Sequence, residues 1–135
     1  PVAPLTQPVR VLLSPVTMRS GDRLLAHKTT LRKIYDEGWR AAEAVGAFDT
    51  LFFNERGELT EGGRSNVFLR LGGRWYTPPL SSGLLPGVMR AVLLEDPAWA
   101  ATERSLTRDD LRHAQEVCLC NALRGVLRAE IVWPT

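Results

Sequence analysis

Along the chain, apolar positions switch between a spacing of two and a spacing of three to four, and each switch marks a predicted element. Val9-Arg-Val-Leu-Leu-Ser alternates weakly and is β-prone, which predicts a first strand ending at Pro15. After a polar loop from Met18 to Asp22, the residues Leu31, Ile34, Tyr35, Gly38, Ala42 and Val45 recur at helical intervals. Thr29 or Thr30 can supply the N-cap oxygen of that helix and Gly46 its stop, so Lys28 falls just before a helix start. Thr50-Leu-Phe-Phe-Asn54 and Glu58-Leu-Thr-Glu61 read as a hairpin around Asn54-Glu-Arg-Gly57. A second hairpin, Val67–Leu71 with Arg74–Thr77, turns on Gly72-Gly73, where both residues tolerate positive φ. Pro78-Pro79 stops it, and a loop from Leu80 to Pro86 delivers a helix over Gly87–Glu95 that Pro97 closes.

Thr102–Leu106 reads as a short strand, and Thr107 stands three residues before Asp110 as in a capping box. Two β-prone runs end the chain, Glu116–Cys120 and Leu127–Val132, around Asn121-Ala-Leu-Arg-Gly125. Strands and helices mix without strict βαβ alternation. That predicts an α+β domain with a largely antiparallel, curled sheet and flanking helices.

Composition narrows the setting. A chain of 135 residues holds one domain with a real core. Its 17 Lys and Arg against 15 Asp and Glu are scattered rather than massed, which argues against nucleic acid as a partner. No long apolar run or signal-peptide pattern is present, so the expectation is a soluble, cytoplasmic protein with no membrane partner. Pro1 to Pro8 lacks an initiator Met and reads as a linker, 1–8, from a missing upstream domain, with 9–135 as the folded unit. Cys118 and Cys120 alternate on one strand, too close to pair with each other, and only His27 and His113 could join them on a metal. Two buried thiols and no metal is the reading.

The candidate chemistry gathers between Glu58 and Arg90. Pro86 and Gly87 open an apolar helix, where unpaired backbone N–H groups and the positive end of the helix dipole suit an anion such as a phosphate. Glu61 sits beside Gly62-Gly63, in a strand otherwise bound for the interior, and a carboxylate so placed wants a cationic partner. Lys28 ahead of its helix and the polar Asn121 loop complete the set. Pyridoxal phosphate needs a lysine for a Schiff base, an acid on the pyridinium nitrogen and a phosphate site. Each residue also has a plain explanation: Lys28 as a solvated charge, Glu61 paired with Arg64, Tyr35 and Trp39 as core, Asn121 and Arg124 as turn residues, His27 as packing.

The order of these residues carries a resemblance. Glu61, Gly63, Asn66, Val67-Phe68, Thr77, Leu85, Gly87, Val88 and Arg90 fall where the class IV aminotransferases, the fold-type IV pyridoxal phosphate enzymes, carry their signature. Trp75 replaces the aliphatic residue or Phe usual there, and Met89 stands where many members have a phosphate-binding Thr. Within the family the runs His27–Thr30, Asn54–Glu61, Tyr76–Gly87 and Asn121–Gly125 are similar to aminodeoxychorismate lyase as it occurs behind para-aminobenzoate synthase component I.

The resemblance implies the C-terminal, larger domain of that fold and pyridoxal 5'-phosphate as cofactor. It implies Lys28 and Glu61 as catalytic residues, Gly87, Val88, Met89, Asn121 and Ala122 as further cofactor contacts, and Arg124 as a substrate contact. It also implies a homodimer and a smaller N-terminal domain that supplies a phosphate-binding Arg and much of the pocket, with a fused para-aminobenzoate synthase component I as a candidate upstream partner. The implied reaction is the conversion of 4-amino-4-deoxychorismate, a small-molecule substrate, to para-aminobenzoate and pyruvate for folate synthesis. Two alternatives share these residues: an aminotransferase of the D-amino acid or branched-chain type, and an incomplete, non-catalytic domain that serves as an assembly surface.

Overall fold

The strand Asp49–Asn54 is buried at every residue, which requires cover on both faces and a neighbour on each side. The computed structural model, which describes residues 7–21 and 28–134 and of residues 28–30 the backbone alone, supplies both. In chain order the elements are β1 (Val9–Met18), α1 (Lys28–Ala44), β2 (Asp49–Asn54), β3 (Leu59–Gly62), β4 (Asn66–Leu71), β5 (Arg74–Thr77), a 3-10 turn (Leu80–Ser82), α2 (Val88–Glu95), β6 (Thr102–Glu103), α3 (Arg108–His113), β7 (Glu116–Asn121) and β8 (Gly125–Ile131).

The strands form one sheet in the order β3-β2-β1-β8-β7-β4-β5-β6. β1 lies parallel to β2 and β8, and β5 to β6, while the β2–β3, β4–β5, β4–β7 and β7–β8 pairs are antiparallel. The α+β class is as expected, with a sheet more mixed than the hairpins alone foretell. The parallel pairs come from β1, whose partners lie across the α1 crossover and at the far end of the chain.

This sheet has to curl. β3 and β4 stand five places apart in the order, which in a flat sheet means about 24 Å at ~4.8 Å per strand. Only Gly63, Arg64 and Ser65 join them, and the four Cα steps from Gly62 to Asn66 reach at most about 14 Å. The edges therefore bend toward each other, and the Gly62 N–H donates to the Ser65 carbonyl at 2.8 Å.

Alternation along the strands sends side chains to two cores. One face gathers Val11, Leu51, Phe53, Val67, Leu69, Leu119 and Leu127, closed by Leu106 and by Leu111 of α3. The other face carries both longer helices. Leu31 and Tyr35 of α1 pack on Phe52, with the Tyr35 and Phe52 rings edge-on at 4.9 Å. Leu93 of α2 packs on Phe68, Cys118, Cys120 and Val126. Burial pushes both thiols up to about 12, so they are inert protonated core groups at neutral pH.

Both predicted hairpins form, and Gly72 and Gly73 take φ of +55° and +81°. Thr107 and Asp110 make the capping box of α3. Two expectations are corrected. The first strand does not stop at Pro15 but runs to Met18, because its register against β2 slips between Leu13 and Thr17. In that bulge the proline has no ladder bond to donate, and the Val16 N–H turns to the Ser14 hydroxyl at 3.0 Å. The first helix begins at Lys28 itself rather than after it, so Thr29 and Thr30 lie in its first turn. Its cap position and His27 lie outside the described residues, as do residues 1–6 of the expected linker. Among the described residues, no helix is long and apolar enough to cross a membrane.

Candidate active site

On the helical face of the sheet a cleft of about 810 Å³ opens between α1 and the start of α2. Four segments wall it: the α1 face of Leu31, Tyr35 and Trp39, the β3–β4 connection from Glu61 to Asn66, the approach to α2 from Leu84 to Met89, and the β7–β8 turn from Cys120 to Ala122. Glu61, Gly87, Val88, Met89, Asn121 and Ala122, all singled out in the sequence, therefore share one cavity. Lys28 opens the helix whose next turns line it, one turn ahead of Leu31 and Arg32; its side chain lies outside the described residues. Arg124 does not join them. Its guanidinium lies 5.3 Å from the centre of the Phe48 ring, and its backbone N–H donates to Asn121 Oδ1 at 2.6 Å.

Glu61 is 3% exposed, and its Oε1 accepts the Leu85 N–H at 3.1 Å. The plain alternative of a surface pair with Arg64 is not found. Arg64 instead stacks between the Phe48 and Trp39 rings, at 4.4 and 4.8 Å, donates to the Phe48 carbonyl and pairs with Glu43 at 3.5 Å. Asn121 binds the same segment from the other side, its Nδ2 donating to the Arg64 carbonyl at 3.0 Å.

What shapes the β3–β4 connection is a residue the sequence reading passed over. Asp49, fully buried, receives the N–H groups of Thr50 and Gly63 on Oδ1, at 2.7 and 2.9 Å, and the Arg64 N–H and Ser65 hydroxyl on Oδ2, at 3.1 and 2.7 Å. Burial pushes its carboxyl above the usual carboxylate range, and the four donors pull it back in part. A Cβ on Gly62 would stand 2.3 Å from Asp49 Oδ2, and one on Gly63 2.4 Å from the Tyr35 carbonyl, so only glycines let the chain wrap this closely. Asp49→Asn is expected to lower stability by about 1–3 kcal/mol, since the amide NH2, whichever way it turns, faces a backbone N–H that has lost its acceptor. The check is the denaturant midpoint. An unshifted midpoint would mean that the connection is held by something else.

Among the described residues no side chain caps α2, whose N-cap Gly87 is extended at φ −63°, ψ 150°. Its first N–H groups, from Val88 onward, have no acceptor within the helix and border the cleft. Two signature residues turn out to be structural. Arg90 is buried behind the helix on the Pro78 carbonyl and Glu103, and the Thr77 hydroxyl donates to the Val67 carbonyl at 2.7 Å. Tyr35 and Trp39, read as core, also line the cleft, with Trp39 Nε1 donating to Asp36 at 3.1 Å. Arg32 and Asp36 were missed. The spacing 28, 32, 35/36, 39 continues one face of α1 from Lys28 and is the signal that leads to them.

A curled mixed sheet with both longer helices on one face is the arrangement of a class IV aminotransferase domain. The sequence matches the amino-transferase class IV family over residues 1–132, and the chain belongs to that family. A Schizosaccharomyces pombe protein named "Putative aminodeoxychorismate lyase" is 35% identical over 109 residues, covering 78% of this chain and 47% of that protein. A solved Legionella pneumophila structure described as "Putative 4-amino-4-deoxychorismate lyase" matches with a TM-score of 0.82 at 32% identity, over 96% of this chain and 50% of that one. A "Putative amino-acid aminotransferase" from Mesorhizobium loti matches with a TM-score of 0.81 at 38% identity, over 98% and 64%. This chain thus spans about half the length of the S. pombe and L. pneumophila proteins it matches.

Proposed function

We propose that the cleft is the pyridoxal phosphate and substrate site of a 4-amino-4-deoxychorismate lyase, of which this chain forms the cofactor-binding domain. The observation that carries this reading is the convergence on one cavity of a buried carboxylate, the bare N-terminus of α2 and the helix that starts at Lys28. The residues present fit the cofactor. Glu61 brings a buried carboxylate to the cleft, the first N–H groups of α2 suit a phosphate, and the volume falls within the usual range for small-molecule sites. When bound, the cofactor supplies an electron sink for charge that develops on the substrate carbon bearing the amino group.

The chain's own residues do the rest. Lys28 would attach the cofactor covalently and, once released by the substrate's amino group, its Nζ would take the proton from that carbon. Loss of the proton and rupture of the ring carbon–oxygen bond would release the side chain as enolpyruvate, which takes up a proton on its methylene carbon to become pyruvate, and leave an aromatic ring. Glu61, as a carboxylate, would hold a proton on the pyridine nitrogen. The bare α2 start and the Asn121 turn would orient the two ends. The lyase names of the S. pombe and L. pneumophila relatives support this substrate, while the likeness to the M. loti protein favours a second reading in which the same site passes the amino group to a keto acid.

Product analysis of the intact protein separates the two: pyruvate with an aromatic amine for the lyase, a new amino acid for the transferase. Borohydride reduction is expected to fix the cofactor to the peptide containing Lys28. Labelling at Lys33, which lies a turn and a half further along α1, would remove the Lys28 assignment.

A further inference from the structure

The two ends of the cleft are joined through a single residue, Leu85. Its N–H is held by Glu61 Oε1 at 3.1 Å, and its carbonyl accepts Asn66 Nδ2 at 3.0 Å and the Gly87 N–H at 2.9 Å. The Leu85 side chain is 55% exposed, so what this part of the cleft uses is the backbone. Asn66 is 7% exposed, at the head of β4, where it is paired in register with Cys120 and cannot drift. Its Oδ1 lies against the residue that caps α2, since a Cβ added to Gly87 would stand 2.3 Å from it. One side chain thus grips the residue that Glu61 grips and abuts the residue that caps α2.

We propose that Asn66 is a positioning residue that sets how far the α2 N-terminus stands from the Glu61 carboxylate. In the proposed function, on which this inference rests, that separation matches the two ends of pyridoxal phosphate to the two ends of the site. Asn66 does not touch the cofactor in this scheme. It acts through Leu85 and Gly87, and Gly87 lacks a Cβ because Asn66 occupies the space one would need.

The experiment compares the intact protein with its Asn66→Ala, Gly87→Ala and doubly substituted variants, using pyridoxal phosphate and unphosphorylated pyridoxal as probes. Asn66→Ala is expected to weaken pyridoxal phosphate about tenfold, the worth of one well-made hydrogen bond, and pyridoxal less than about threefold. Gly87→Ala alone should cost pyridoxal phosphate at least as much, but should add little in the Asn66→Ala background, where the new methyl fills the vacated space. In cofactor-free protein, the Leu85 amide should exchange hydrogen at least about tenfold faster in Asn66→Ala, with the Phe68 and Leu119 amides of the sheet unchanged.

Equal loss for the two probes, additive effects of the two substitutions, or an unchanged Leu85 amide each overturn the proposal. If Asn66→Ala does not fold, Asn66→Ser, uncharged and too short to reach the Leu85 carbonyl, removes the Nδ2 contact and is read by the same assays. A parent protein that binds neither probe overturns the proposed function instead, and the Leu85 exchange result then decides the positioning role by itself.

Discussion

Glu61→Gln is expected to lower turnover by roughly two to three orders of magnitude while cofactor affinity stays within a few-fold. The glutamine can keep its oxygen on the Leu85 N–H, where Glu61 Oε1 sits at 3.1 Å, so that contact survives the change. What it cannot do is hold a proton on a pyridine nitrogen, because an amide carries no charge to stabilise the protonated ring. Each unit lost from that nitrogen's pKa corresponds to about 1.4 kcal/mol, and two units entering the barrier amount to about a hundredfold in rate. The measurements are turnover by the intact protein and cofactor affinity side by side. Near-normal turnover in Glu61→Gln would sink the pyridine-nitrogen role, and a collapse of affinity with it would show Glu61 to be a structural anchor of Leu85.

The second large effect is expected at the start of α2. Met89 lines the cleft without a hydroxyl, so the anion-binding share of this helix falls to backbone N–H groups, those of Val88 and Met89. Val88→Pro deletes one of them. Val88 is the first helical residue and 72% exposed, and Gly87 already has the extended backbone that a residue before proline prefers. The fold should therefore survive, with a melting temperature in the absence of cofactor close to that of the parent. Cofactor affinity should fall at least about tenfold, the order of a charge-assisted hydrogen bond, whereas Met89→Ala should change it by less than about threefold. Intact affinity in Val88→Pro, or an equal loss in Met89→Ala, would place the phosphate elsewhere.

Much of this site was legible in the sequence because its residues act through local rules. Gly72-Gly73 can only be a tight turn, and Pro86-Gly87 ahead of an apolar run can only open a helix; both are found so. Glu61, Val88 and Asn121 were named from spacing and resemblance, and they border one cleft. Asp49 was not legible, because an aspartate at a strand start carries no mark of the three donors that reach it from Gly63, Arg64 and Ser65. Nor was the path of β1 past Pro15, since the bulge that tolerates the proline exists only against β2. Arg90 illustrates the converse: its place in the signature points to the site, but its guanidinium is spent behind α2 on Pro78 and Glu103. Local patterns carried turns, caps and faces, and what they missed depends on partners far away along the chain.

The strand order also bears on how the protein is made. β1 lies between β2 and β8, so the middle of the sheet closes only when β8, more than 100 residues further along, meets β1. Contacts of such separation carry the loop-closure entropy that makes folding slow. During synthesis the β3–β4 connection, with Glu61 and Asn66 at its ends, leaves the ribosome before β7 and β8 exist to bring the sheet's edges round. Until then the Asn121 turn is missing from the cleft, and the apolar face of α2 has neither Cys118 and Cys120 nor Val126 to cover it. Completion of the cleft therefore waits for β7 and β8, and until they pair the nascent chain exposes an apolar, aggregation-prone sheet face.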